Sequence, residues 1–261
     1  MVYDHRIYLG FYRGSGYESV SAGIENKTGG TFTLKDGRIS NLPAFTACLK
    51  DCFLKNRIGD KNVRLILKTP ECILRFAKLP PAGDKDIRGI IMNNLRDYFP
   101  VPVDGYVISY KIYRKTKDAA EIMLAALPED MAANYLEAFR ILGKKVIKID
   151  ILQNAVANAS FIPDETALFV TRHINDHERG IDIDIDNRLN VMLMENGVPI
   201  AARDIGADGG ELIALTRMYG INGAVKIYAA TPEYENISMC LRDAGADFIS
   251  VDIAQLLARY E

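Results

Sequence analysis

The residues best suited to chemistry gather in the third quarter of the chain. His173 and His177 stand four apart with Asp176 and Glu178 beside them, a spacing at which a helix can hold a metal ion. They lie in a polar stretch beside no apolar run, so a solvated loop without metal is expected. Asp182, Asp184 and Asp186 alternate with Ile181, Ile183 and Ile185, three carboxylates that could take Ca²⁺ or Mg²⁺. An EF-hand loop would need glycine at Asn187 and glutamate at Leu193, and has neither. A strand with isoleucine inward and aspartate outward accounts for the alternation, and its acidic face discourages edge pairing. The run from Gly206 to Glu211 precedes a helical pattern and could cradle an anion at a helix N-terminus. Asp208 and Glu211 oppose phosphate there, and a turn with a cap explains the run equally well. Cys48 and Cys52 share a helical face, while Cys72 and Cys240 stand far off. That spacing suits packed, reduced thiols rather than zinc or a disulfide framework. His5 is the only other histidine, and no Ser/His/Asp or Cys/His set is suggested.

Those side chains need elements to position them. With 261 residues, 49% hydrophobic and 25% charged, the chain can bury a sizeable core in one or two lobes. A net charge of −2 leaves no electrostatic footprint for nucleic acid, which is not expected as a partner. The longest apolar runs are strand-length, and the N-terminus lacks a charged lead into an apolar signal core, so neither a membrane span nor secretion is expected. Strands are predicted at Arg6–Tyr12 and Ser19–Glu25 around a glycine-bearing turn, with a short third at Thr31–Leu34. Helix Pro43–Lys55, strands Val63–Leu67 and Ile73–Lys78, and an amphipathic helix Asp84–Tyr98 follow. Strands Tyr106–Tyr113 and Glu121–Ala126 precede a helix that opens at Pro128 and ends at Gly143, then strand Val146–Ile151 and helix Leu152–Phe161. The second half begins with strands Glu165–Val170 and Ile181–Asp186. A hairpin across Asn196-Gly197 joins Asn190–Glu195 to Val198–Asp204. Helix Glu211–Tyr219, strand Val225–Ala230, helix Glu233–Gly245, strand Phe248–Val251 and a terminal helix complete the chain. Each half thus opens on a glycine-turn hairpin, a weak internal duplication in the order of elements.

The middle of the chain carries the most specific pattern. Arg75 and Leu79-Pro80 precede a helix stopped at Tyr98-Phe99-Pro100. Asp104, Tyr110, the strand Ile122–Ala126 with Leu127-Pro128-Glu129-Asp130, Tyr135, Gly143 and Ile147–Ile151 follow. Over residues 63–152 this succession resembles the PilM family of type IV pilus assembly proteins and the cytoplasmic domains of their type II secretion relatives, GspL. The resemblance is thinner over 181–206 and 224–253. It implies an α/β, actin-like (ribonuclease H-like) two-lobe fold with an inserted small α/β domain of the type shared with the cell-division protein FtsA. The expected divisions are 1–62, part of the first lobe; 63–152, the inserted domain with its return strand; and 153–261, a shortened second lobe. The short path from Gly210 to Val225 implies that the family's capping subdomain is missing.

An actin-like ATPase holds nucleotide between its lobes on glycine-bearing hairpins, each beside an aspartate that manages metal or water. In the register the resemblance implies, Tyr12 replaces the first aspartate beside Gly14. Asp184 is retained, but Asp186 replaces a glycine, and Ala229-Ala230 replaces a Gly-Gly turn. A carboxylate aimed at phosphate repels it, and a side chain blocks close backbone approach. No catalytic residue, metal or cofactor is therefore expected; ATP with Mg²⁺ would require a different register of these loops. The resemblance instead implies an adaptor, cytoplasmic and peripheral at the inner membrane. It would bind a PilN-like or GspM-like inner-membrane protein through that partner's cytoplasmic segment, with the assembly ATPase and a homodimer as further contacts. Arg75, Leu79, Tyr98, Phe99 and Tyr110 are the residues nominated for the peptide groove. The competing reading is a nucleotide-binding actin-like ATPase, or a cell-division-type scaffold that polymerises.

Overall fold

The chain opens as a meander. Strand β1 (Val2–Tyr3) pairs antiparallel with β2 (Arg6–Arg13), and β2 with β3 (Gly16–Gly23). The computed structural model describes residues 2–3, 6–13, 15–23, 33–35, 37–158, 166–172, 188–206, 210–219, 226–229, 247–250 and 258. A two-residue hairpin, β4 (Leu34–Lys35) with β5 (Arg38–Ile39), turns at Gly37 with φ +80°. Helix α1 (Leu42–Lys55) then starts where Asn41 accepts a hydrogen bond from the Ala44 amide (3.0 Å), with Pro43 in its first turn.

Strands β6 (Asn62–Leu67) and β10 (Lys145–Ile151) complete the first sheet, in the order β10-β6-β1-β2-β3. β6 pairs in parallel with both neighbours. Parallel neighbours need a crossover, and α4 (Glu129–Ile141) supplies it. Phe45, Leu49 and Phe53 of α1 and Met131, Tyr135 and Phe139 of α4 pack with Ile7, Leu65 and Leu67 of the sheet in one core. Phe45 and Tyr135 meet edge to face at 5.8 Å. The buried Tyr135 hydroxyl donates to the Gly37 carbonyl at 2.6 Å, tying α4 to the β4–β5 turn.

Inside that crossover sits the insertion. β7 (Ile73–Leu79), β8 (Tyr106–Lys115) and β9 (Ala120–Pro128) form an antiparallel sheet in the order β7-β9-β8. Helices α2 (Asp84–Asn93) and α3 (Leu95–Tyr98) cover one face through Ile87, Ile91 and Phe99. Of the segment 63–152, the two ends therefore lie in the first sheet, and residues 73–128 form the separate layer.

The second unit, Val156–Glu261, has its own sheet. β11 (Ala167–Arg172), β12 (Arg188–Glu195) and β13 (Val198–Gly206) form a meander, and β14 (Lys226–Ala229) and β15 (Asp247–Ser250) add in parallel, giving β13-β12-β11-β14-β15. Asn196 (φ 51°) and Gly197 (φ 73°) make the expected tight turn. Leu168, Val170, Val191, Leu193 and Leu215 of α6 (Gly210–Met218) form its core. Each unit is thus a three-strand meander whose first strand pairs in parallel with a fourth, which pairs in parallel with a fifth. The duplication is plainer in topology than in sequence.

Two elements differ from the sequence expectation. The helix expected over 84–98 breaks at Asn94, whose side-chain amide donates to the Ile90 carbonyl at 2.7 Å and ends the helical run. Of the strand expected at 31–34, residues 31 and 32 lie outside the described residues, Thr33 is not in a strand, and Leu34 begins β4, where Gly37 permits the turn. Strand Ile181–Asp186 and helix Glu233–Gly245 fall outside the described residues. Tyr135→Phe should lower stability by about 1–2 kcal/mol, since it leaves the Gly37 carbonyl unpaired in the core. A urea unfolding midpoint equal to that of the parent chain would show that this bond does not matter.

Candidate functional site

The first hairpin is where the sequence resemblance implied a phosphate-binding loop. Tyr12 and Tyr17 face each other across β2 and β3, with rings edge to face at 5.3 Å. The Tyr17 hydroxyl lies 1.7 Å from where a Cβ on Gly10 would stand, so only glycine lets the ring lie across the strand. That hydroxyl is buried and has no hydrogen-bond partner among the described residues. Burial, and then the neighbouring Tyr12, push the phenol pKa up to about 12. Tyr12 is 67% exposed. Arg13 donates to the Asn56 carbonyl (2.9 Å), pairs with Glu18 (3.5 Å) and lies over the Phe11 ring. The hairpin thus presents two phenol rings and a committed guanidinium.

Gly14, Asp184, Asp186 and Ala230 lie outside the described residues, as do His173 and His177. Ala229 ends β14 with its backbone between Val170 and Ser250. Among the described residues no group of three or more His, Cys, Asp or Glu side chains could hold a metal ion. Nor is any described helix long and apolar enough to cross a membrane.

The nominated partner residues divide into two sets. Leu79 and Phe99 are 3% and 2% exposed and belong to the core between the insertion's sheet and its helices. They hold the helix layer in place and offer no surface. Arg75, Tyr98 and Tyr110 remain partly exposed. Arg75 and Tyr110 both register with Leu124 of the central strand, so they flank it on one face of the sheet. The Arg75 Nε donates to the Tyr98 carbonyl (3.0 Å) and its Nη1 to the Leu74 carbonyl (2.7 Å). Arginine therefore clips the end of α3 to β7 on the helix-covered face, where Tyr98 and Tyr110 pack against the edge of the same core and stay half-buried.

The opposite face carries a polar network that the sequence reading missed. The pairing of β8 shifts between Ile112 and Arg114, and Tyr113 donates to the Asn154 side-chain oxygen at 2.6 Å. Asn154, on α5 (Leu152–Asn158), donates in turn to both Asp150 carboxylate oxygens at 2.8 and 2.7 Å. Lys148 stands 3.2 Å from the same carboxylate, and Lys111 lies over the Tyr113 ring. Burial lowers the Lys111 pKa and raises those of Tyr113 and Cys72, the last to about 12, with Asp150 as the second influence on both raised groups. Asp150 and Asn154 four apart at a strand–helix junction were the only sequence signal. The network fixes the insertion against the return strand.

No family model matches this sequence, and no curated protein does. Solved structures do match. A chain of the PilM–PilN type IV pilus biogenesis complex superposes with a TM-score of 0.69 at 15% identity, over 95% of this chain and 86% of that one. The cytoplasmic domain of EpsL, an inner-membrane component of the type II secretion system of Vibrio cholerae, gives 0.57 at 12% identity, over 99% and 90%. The actin-like fold of these proteins is the fold of this chain, as the middle of its sequence implied.

Arg75→Gln should speed backbone hydrogen exchange at residues 95–99 while the far-ultraviolet spectrum stays unchanged; unaltered exchange there would mean that the clip holds nothing. Cys72 should resist iodoacetamide in the native chain at pH 8 and react once urea unfolds it. Equal labelling in both states, by peptide mass mapping, would contradict the burial that raises its pKa.

Proposed function

We propose that this chain is a non-catalytic adaptor in a type IV pilus or type II secretion assembly, binding the cytoplasmic segment of an inner-membrane protein. The observation that supports it most is the superposition over nearly the whole chain on a protein solved in a PilM–PilN complex. The likeness to the EpsL cytoplasmic domain points to the same kind of machine. Both similarities support a role at the cytoplasmic face of the inner membrane.

The first hairpin supports the non-catalytic part. Phosphate needs backbone N–H groups at close approach and an unobstructed cation. Here Tyr17 lies across Gly10, and Arg13 is held by Asn56, Glu18 and Phe11. The partner's segment would lie on the insertion against the exposed parts of Tyr98 and Tyr110, with Arg75 holding the Tyr98 backbone. Large, stiff aromatic side chains give contact area at low entropic cost.

Titration with ATP and Mg²⁺ should give no binding heat, and no phosphate should be released above the buffer rate. A tagged chain incubated with detergent-solubilised membranes of its own host should retain an inner-membrane protein. A synthetic peptide of that protein's cytoplasmic segment should bind the chain directly. Tyr98→Ala and Tyr110→Ala should each weaken the peptide by about tenfold, which is 1.4 kcal/mol. ATP turnover, or a peptide indifferent to both substitutions, would reject the proposal.

A further inference from the structure

Helices α1 and α4 end side by side, and the same motif closes both. At the end of α1 the Ile58 amide donates to the Phe53 carbonyl and the Arg57 amide to the Leu54 carbonyl. At the end of α4 the Lys144 amide donates to the Phe139 carbonyl and the Gly143 amide to the Arg140 carbonyl. Each is a Schellman cap, which requires a left-handed residue just past the helix. In α4 that residue is Gly143, at φ +66°. In α1 it is Arg57, at φ +53°. Glycine is the default there because a Cβ is penalised in this conformation. A bulky, charged residue is held where a smaller one would be more stable, a form of local strain that marks functional positions.

Arg57 borders a groove of about 740 Å³ between the two helix ends. Its apolar side includes Leu54 and Ile141, which are 66% and 52% exposed. Its charged lining residues are Lys50, Arg57 and Lys144, all cations. Lys144 is anchored on the Ile58 and Asp60 carbonyls and over the Phe53 ring. Among the described residues neither Lys50 nor Arg57 has an acidic partner.

We propose that this groove is a second docking site, for an acidic amphipathic helix of a partner protein. The apolar side chains would take the partner's leucine-like face, and Lys50 and Arg57 the carboxylates flanking it. The shape favours a helix over a lipid surface, because concavity keeps Leu54 and Ile141 from entering a flat bilayer together. The groove lies in the helix layer of the first sheet and shares no residue with the Arg75, Tyr98 and Tyr110 face. It does not rest on the function proposed above.

The test uses the full chain and a fluorescein-labelled synthetic helix with leucines at i, i+3, i+4 and i+7 and glutamates on both flanks. A scrambled peptide and a lysine-for-glutamate version are the controls. Fluorescence anisotropy should show binding by the acidic helix alone, weakening as salt rises. Lys50→Glu and Leu54→Asp should each weaken it tenfold or more. Arg57→Gly is the decisive variant: its urea midpoint should rise while its affinity falls at least fivefold, a split that damage to the fold would not produce. Equal binding of the scrambled peptide, no binding of the acidic one, or unchanged affinity in Arg57→Gly would each overturn the proposal. So would binding to vesicles containing phosphatidylglycerol without peptide binding, or a dimer that Leu54→Asp dissociates in a chain the peptide does not bind.

Discussion

The pairing of β6 with β10 is the constraint on which the first unit depends. Asn62 meets Lys145 at one end of the ladder and Leu67 meets Ile151 at the other, so the two strands close a long detour of chain. Loop closure costs entropy that grows only slowly with length, which is why a whole layer can sit within it. The layer would still swing if only its two ends were held. Two further ties limit it. Arg38 pairs with Glu71, just before β7, and with Asp130, at the start of α4, and holds the Asp130 pKa below the ordinary carboxylate value. Tyr113, Asn154 and Asp150 tie β8 to the strand–helix junction that follows β10. The insertion is thus fixed at its ends, at its base and across its sheet.

The same accounting explains the first hairpin. In a phosphate-binding hairpin glycine serves the ligand, giving it access to the backbone. In this chain Gly10 serves a side chain, since its missing Cβ is the space the Tyr17 ring occupies. Strand interiors lose stability at glycine, and an aromatic ring from the facing strand recovers contact over it. On the proposed function, selection on this hairpin acts through packing.

How much could be read in advance follows from how local each signal is. Pro43, Pro128 and Gly143 mark helix ends in their own neighbourhoods, and α1 and α4 fall where those residues put them. Asn196-Gly197 likewise fixes its hairpin. The break at Asn94 was hidden because apolar periodicity continues across it through Leu95 and Tyr98, and only a side-chain bond to Ile90 interrupts the helix. Leu79 and Phe99 looked like surface anchors because an aromatic or leucine beside proline reads the same whether it is buried or exposed. The Tyr113–Asn154 bond was not legible, because it joins residues distant in sequence. Arg57 was the hardest case: nothing in a sequence says that an arginine occupies a glycine conformation.

The two faces of the first unit stand in different energetic positions. On the insertion, Arg75 already spends both bonded groups on carbonyls of its own domain, so the proposed partner would gain mostly from the exposed parts of Tyr98 and Tyr110. Such a surface is preorganised and loses little entropy on binding. In the groove Lys50 and Arg57 are exposed and have no acidic partner among the described residues, so the proposed carboxylate would exchange water for a salt link of modest strength, sensitive to ionic strength. On the proposed function, an adaptor would gain from that asymmetry. A preorganised aromatic face can hold one partner stably, while a solvated cationic groove engages another reversibly, and neither has to surrender residues to the other. Linked sites of this kind raise the effective concentration of one partner near the other without any new contact between them. The strain held at Arg57 then has a physical reason: a glycine would cap α1 better and leave the groove with one cation fewer.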